Sequence, residues 1–156
     1  VLVSSQAGVR GMATAGAYGA SKAAAERWAE ALAHEIAPFG LGVTVVVTGT
    51  FDTDILVRTV FHERPDSAYR PFQIAVGSMA ANVHRLALPP ERFARGLARA
   101  LGDTAPYSRR AIGRDARLLL LTRRLLPDRT LHRLGRVVTR IPGPGELRGT
   151  AYPGGT

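Results

Sequence analysis

The 156-residue chain has no cysteine. Disulfides, thiol nucleophiles and thiolate metal sites are therefore excluded, and cysteine usage says nothing of the redox compartment. The four His, at 34, 62, 84 and 132, are scattered and no two have metal-ligand spacing, so each reads as a surface or packing residue. Long apolar runs are also missing. The longest is of the order of "LLLL" at 118–121, far short of the roughly 20 residues that span a bilayer. No signal-peptide pattern is visible, and the chain opens inside an apolar run without an initiator Met. Lysine is nearly absent: of 21 cations, twenty are Arg and one is Lys22. A lone Lys in so Arg-biased a chain marks a position where a guanidinium does not serve.

What is present suffices for one domain with a sizeable core, since hydrophobic residues make up 46% of the chain. The net charge of +9 is unevenly placed. Residues 1–90 carry seven Lys/Arg and seven Asp/Glu, whereas 91–148 carry fourteen Arg and five Asp/Glu, so the excess lies in the second part.

"VLVSS" reads as a short buried strand running into a loop, "QAGVRGMATAG". From about Tyr18 to Ala37 the Ala-rich composition predicts a helix. Trp28, Leu32 and Ile36 line one face, Glu26, Glu30 and His34 another, and Pro38 and Gly40 stop it. "GVTVVV" at 42–47 is β-branched without polar alternation, as in a central parallel strand covered on both faces. Strand, helix and strand form a βαβ unit, whose ligands sit beyond the C-terminal strand ends. Residues 54–90 show no clear period and read as a lid. "PPERFARGLARALG" predicts a helix with Phe93, Leu97 and Leu101 on one side and Arg92, Arg95 and Arg99 on the other. "YSRRAIG" reads as an edge strand, 114–141 as two basic amphipathic helices broken at Pro127, and the Pro/Gly-rich end 142–156 as disordered. The fold class is thus α/β: the C-terminal part of a Rossmann-like, doubly wound parallel sheet in three α/β/α layers, with 1–113 as the domain portion, followed by amphipathic helices.

Tyr18 and Lys22 stand at i, i+4, which puts their Cβ atoms about 5–6 Å apart on one helix face. A free phenol holds its proton to about pH 10. An adjacent ammonium favours the phenolate, which makes such a pair a tuned general acid/base. A compact ammonium with three donors can face a phenol and a sugar hydroxyl together. Ser5, at a strand end on the same rim, suits hydrogen bonding to a substrate carbonyl oxygen.

Ser5, Tyr18 thirteen residues on and Lys22 four later, with "YGASKAA" around the pair, resemble the short-chain dehydrogenase/reductase family. The resemblance implies an NAD(P)-dependent oxidoreductase acting on CH–OH groups and interconverting an alcohol and a ketone or aldehyde. It implies that Tyr18 is the acid/base, that Lys22 assists it and holds the nicotinamide ribose, and that Ser5 orients the substrate. "VTVVVTGTFDTDIL" is similar to the family's next element, a Pro-Gly pair followed by a Thr. There Gly49 would let the backbone approach the nicotinamide and Thr53 would contact its carboxamide, while Thr48 replaces the Pro. The Gly-rich phosphate turn, the residue that selects NAD or NADP and the upstream Asn of the catalytic set do not occur in these residues. The expectation is a C-terminal half of the family domain, with one sheet edge open, binding a dinucleotide weakly or not at all by itself. The implied partners are a small alcohol or carbonyl substrate and further copies, as homodimer or homotetramer through the 18–37 helix, in the cytoplasm. "YSRRAIGRDARLLLLTRRLLP" resembles the end of members that act on lipid-like or bulky apolar substrates.

Other readings stand beside these. Trp28, Leu32 and Ile36 are core or subunit interface before they are substrate wall. Ser4 and Ser21 read as structural. Asp52 and Asp54 are a solvated loop pair rather than a metal site. The Arg-rich tail is a solvated face over a docked helix, or a helix lying on a membrane surface. Nucleic-acid binding ranks last, for want of interleaved aromatics and a recognition motif. The rival to an enzyme is a non-catalytic remnant that dimerises or docks peripherally to membranes.

Overall fold

Val43–Thr48, here β2, is built of Val and Thr alone, and its first five residues are buried. A strand covered on both faces belongs in the middle of a sheet. In the computed structural model, which describes residues 1–58 and 67–148, β2 lies between β1 (Leu2–Ser5) and β3 (Tyr107–Ile112), and all three are parallel. Ser5 pairs with Thr48 and Thr48 with Ile112, so the three C-terminal ends are level. A shared rim is the consequence, and it is where the candidate site lies.

Each parallel crossover carries helices. After β1 come the single turn α1 (Gln6–Val9) and the long α2 (Gly16–Ile36). A 3₁₀ turn, Ala37–Phe39, closes α2, and Gly40 ends it at φ 74°, a left-handed conformation that glycine adopts without a steric cost. After β2 come α3 (Ile55–Arg58), α4 (Arg70–His84) and α5 (Pro90–Leu101); α6 (Arg114–Leu125) and α7 (Asp128–Thr139) follow β3. The pleat of β2 divides the core in two. Val43 and Val45 pack with Ala29 and Ala33 of α2, joined by Leu2, Leu32, Ile36 and Tyr107. Val46 packs on the other face with Ala100 of α5 and Ile112, joined by Phe51, Phe93 and Leu97. Helix, sheet and helix are the three layers of an α/β fold. No helix among the described residues is long and apolar enough to cross a membrane.

Two expectations need correction. The segment 54–90 is not irregular throughout, because α4 runs for 15 residues. Pro71 in its first turn and Gly77-Ser78 in its middle dilute the helical signal, and its apolar residues are mostly half-buried or exposed, so no stripe emerges. Residues 59–66 of the proposed lid, His62 among them, lie outside the described residues. So do 149–156 of the end read as disordered; residues 144–148 form turns, with the Arg148 amide donating to the Gly145 carbonyl at 3.0 Å. The α2 faces also differ from the periodicity. Trp28 is 61% exposed, Leu32 and Ile36 are partly buried, and the fully buried line is Gly19, Glu26, Ala29 and Ala33.

Glu26 is 1% exposed, and its burial has a clear compensation. Ser4 of β1 donates to one carboxylate oxygen at 2.6 Å, and Arg109 of β3 donates to the other at 2.5 Å. A buried carboxylate persists when it is both paired and hydrogen-bonded. The two partners come from opposite outer strands, so a single side chain of α2 ties both edges of the sheet to that helix. A polar knot also shapes the α5–β3 turn. Arg110, Ser108 and the Ala105 amide all donate to Asp103, which holds its carboxyl well below the usual carboxylate range.

Removing one member of a buried pair costs about 3–5 kcal/mol, whereas replacing both by apolar groups can be neutral. Glu26→Ala is expected to lower the unfolding free energy by about 3 kcal/mol in urea denaturation. Glu26→Leu combined with Arg109→Met is expected to recover most of that. If the double replacement were no better than the single one, the loss would lie in packing rather than in an unpaired guanidinium.

Candidate active site

The end of β1 turns directly into α1, and Ser5 is the residue at the junction. Its backbone is extended, and its Oγ accepts the Ala7 amide at 3.2 Å, which caps α1. The hydroxyl hydrogen is left free to donate outward. Helix α2 approaches this turn closely. A side chain on Gly19 would stand 2.9 Å from the Ala7 carbonyl oxygen, so glycine is what permits the contact. The same helix bears Tyr18 and Lys22 in its first two turns. The Lys22 Nζ lies 5.8 Å from the centre of the Tyr18 ring and donates to the Val3 carbonyl at 3.4 Å. Ser5 is thus bracketed, with Lys22 bonded two residues before it and Gly19 against the residue two after it.

The ring and the ammonium are differently exposed. Tyr18 is 49% exposed, and its hydroxyl has no hydrogen-bond partner among the described residues. Lys22 is half-buried, and with one N–H on Val3 it keeps two donors for other groups. An accessible phenol, a cation beside its ring and a serine O–H at a strand end can hand a proton to an oxygen while a second donor holds that oxygen. Ser4, on the opposite face of β1, is engaged with Glu26, and Ser21 donates to the Tyr18 carbonyl at 2.7 Å, so both have structural roles.

The loop after β2 is fixed by groups the sequence reading passed over. Thr48 donates to the Ser4 carbonyl at 2.9 Å and so fastens β2 to β1. Asp115, in the first turn of α6, accepts from the Thr50 amide at 2.8 Å, the Thr50 hydroxyl at 3.0 Å and the Gln6 side chain at 2.8 Å. That one carboxylate gathers the ends of β1 and β2 to α6. It also occupies the open side of Gly49, where an added Cβ would stand 2.0 Å from its Oδ1. Glycine at 49 is therefore required by Asp115 on geometric grounds alone. Thr53 lies exposed just before α3. The structure accordingly brings Ser5, Tyr18 and Lys22 to one corner of the rim, with Gly49 and Thr53 on the neighbouring loop. An acid in the first turn of a helix that follows a strand was the available signal for Asp115; its partners, 65 and 109 residues away, were not readable.

Residues 1–63 match the family model for short chain dehydrogenase. The match runs from β1 through α1, α2 and β2 to just beyond α3, which is less than half of the chain. No curated protein matches the chain.

Overpacking a filled site costs about 1–3 kcal/mol. Gly49→Ala is expected to destabilise by that amount, and in the Asp115→Ala background the same substitution is expected to cost at least about 1 kcal/mol less. Equilibrium denaturation of the four proteins of the cycle measures the coupling. Zero coupling would mean that the added methyl meets something other than Asp115.

Proposed function

We propose that the chain is part of an NAD(P)-dependent oxidoreductase that interconverts an alcohol and a ketone or aldehyde. The observation that carries this reading is the Lys22 ammonium beside the Tyr18 ring, on a helix whose start is packed against the strand end bearing Ser5. The short chain dehydrogenase match over 1–63 supports the same class. The residues present fit the nicotinamide end of such a cofactor. Lys22 has two unused donors for ribose hydroxyls, and Thr53 is an exposed hydroxyl on the adjoining loop. Gly49 offers less room, because Asp115 already fills its open side. When bound, the nicotinamide supplies or accepts the hydride.

The chain's own residues do the rest. Tyr18 moves the proton to or from the substrate oxygen through its exposed hydroxyl. Lys22 stands beside the Tyr18 ring and stays oriented by its bond to Val3, with donors left for the cofactor's ribose. Ser5, held as the cap of α1, donates to the same substrate oxygen. Glu26 and Arg109 hold α2 in place beneath them. Association through α2 into a homodimer or homotetramer fits the exposed Trp28 on that helix.

A second reading rests on α6 and α7. Leu118, Leu121 and Leu125 are more than half exposed along one stripe of α6, as are Val137 and Val138 on α7, in the most basic part of the chain. Such a surface suits shallow insertion at an anionic membrane face.

With nicotinamide absorbance as the readout over a panel of ketones in the full-length protein, Tyr18→Phe is expected to lose about 10²–10⁴-fold in turnover, with an unchanged circular dichroism spectrum. Near-normal turnover in that variant would remove Tyr18 from the mechanism. For the second reading, co-sedimentation with vesicles containing phosphatidylserine is expected to fall several-fold in the triple variant Leu118→Ser, Leu121→Ser, Leu125→Ser. Unchanged pelleting would exclude α6 as the contact.

A further inference from the structure

The sheet face away from α2 holds a feature that the oxidoreductase reading does not use. Between α5, β3 and the start of α6 lies an open cavity of about 700 Å³. Six arginines line it: Arg92, Arg95 and Arg99 of α5, Arg110 of β3, and Arg114 and Arg117 of α6. Its apolar lining includes Phe51, Leu88 and Ile112. None of Ser5, Tyr18 and Lys22 borders it.

Local structure explains how so many cations meet. Arg92, Arg95 and Arg99 are spaced i, i+3, i+7, so they share one stripe of α5. Gly96, on that helix, lies against Ile112, where an added Cβ would stand 2.7 Å from the isoleucine Cγ2. That close approach brings the arginine stripe alongside β3. Helix stability does not account for Arg114 and Arg117. They occupy the N-terminal turn of α6, where the helix dipole favours acids and disfavours cations.

Nor does ion pairing account for the group. Arg110 is paired with Asp103 at 2.6 Å. Arg92, Arg95, Arg99, Arg114 and Arg117 have no carboxylate within ion-pair distance among the described residues. The nearby Asp115 is turned away, committed to Thr50 and Gln6. Five unneutralised guanidiniums around one concavity repel one another, and a bound anion relieves that repulsion. Guanidinium forks match phosphate oxygens two at a time. A phosphate alone would leave the half-buried Phe51 and Leu88 uncovered, and a cavity of this size takes a body well beyond a single phosphate.

We propose that this cavity binds an organic phosphate with an apolar body: the phosphate on the arginine rim, the apolar part on Phe51, Leu88 and Ile112. A lipid headgroup with its acyl chains and a soluble prenyl-type pyrophosphate ester share this chemistry. The site is independent of the nicotinamide reading and stands or falls without it.

Calorimetric titration of the folded full-length protein, with no cofactor added, tests the proposal. The probes are monomeric dihexanoyl phosphatidic acid, geranyl pyrophosphate, inorganic pyrophosphate and dihexanoyl phosphatidylcholine. At least one of the first two is expected to bind at least tenfold tighter than both inorganic pyrophosphate and phosphatidylcholine. Whichever of the two is tighter identifies the lipid or the soluble source. Arg95→Gln with Arg99→Gln is expected to weaken that binding at least tenfold, while Arg129→Gln with Arg133→Gln on α7 changes it less than twofold. Circular dichroism checks that both variants fold, and Arg92→Gln alone replaces the pair if the pair does not. Absence of binding by either organic phosphate, equal binding of inorganic pyrophosphate, or equal losses in the two arginine pairs would overturn the proposal.

Discussion

A carboxylate sealed under a helix governs this fold. Glu26 sits 1% exposed on α2 and takes hydrogen bonds from Ser4 and Arg109, one on each strand flanking β2. An uncompensated charge in that position would unfold the layer above the sheet. With both oxygens engaged, it fixes the rotation of α2 about its axis, because only one azimuth points Glu26 at both strands. That azimuth in turn decides which way the first turns of α2 present Tyr18 and Lys22. The alanines along the same line, Ala29 and Ala33, add contact without setting a direction. The corner that bears Ser5, Tyr18 and Lys22 therefore depends on side chains buried beneath α2. Gly8 belongs to the same arrangement, since a Cβ there would press on both Glu26 and Ser4.

At the rim a second carboxylate does comparable work over shorter distances. Asp115 links Gln6, Thr50 and the backbone beside Gly49, while Thr48 joins β2 to the Ser4 carbonyl. The loop that follows β2 is held at Thr50 and again where the Asp52 amide donates to Leu88. A hydroxyl at 48 is a different solution from a ring at that position: it restrains the strand end by a cross-strand bond instead of by a fixed φ. Two polar hubs, one buried beneath α2 and one half-buried at the strand ends, thus position the residues that the sequence had already singled out.

The strands were legible because their composition carries a physical statement. A run of Val and Thr without alternation has to be covered twice, and it is. The helices at α5, α6 and α7 were legible from their Pro and Gly punctuation. The closeness of Tyr18 and Lys22 was legible from spacing, since i, i+4 on a helix fixes proximity before any tertiary structure is considered. Long-range pairing was what the sequence concealed. Glu26 reads as one of several acids on a polar face until Arg109, 83 residues later, is placed opposite it. Trp28, Leu32 and Ile36 are periodic, yet the helix rotates to satisfy Glu26, and Trp28 turns outward. Helix α4 escaped notice because its pattern is interrupted by Pro71 and by the Gly77-Ser78 step.

The arginine excess takes on meaning once its members are sorted by what they meet. Arg109 is consumed beneath α2 and Arg110 at Asp103, both against carboxylates that a fork-shaped guanidinium suits. Arg27 and Arg123 make exposed pairs of little energetic weight. The arginines of the α5–β3–α6 cavity follow neither pattern, for five of six lack an acid among the described residues. A coding bias toward arginine would scatter such residues over the surface. It would not bring them together from three separate elements around one concavity with an apolar lining. The one position that departs from arginine, Lys22, is the one where a compact ammonium must fit between a carbonyl and an aromatic ring. Cation identity and cation placement in this chain are therefore both set by local geometry, and charge count alone would have hidden the distinction.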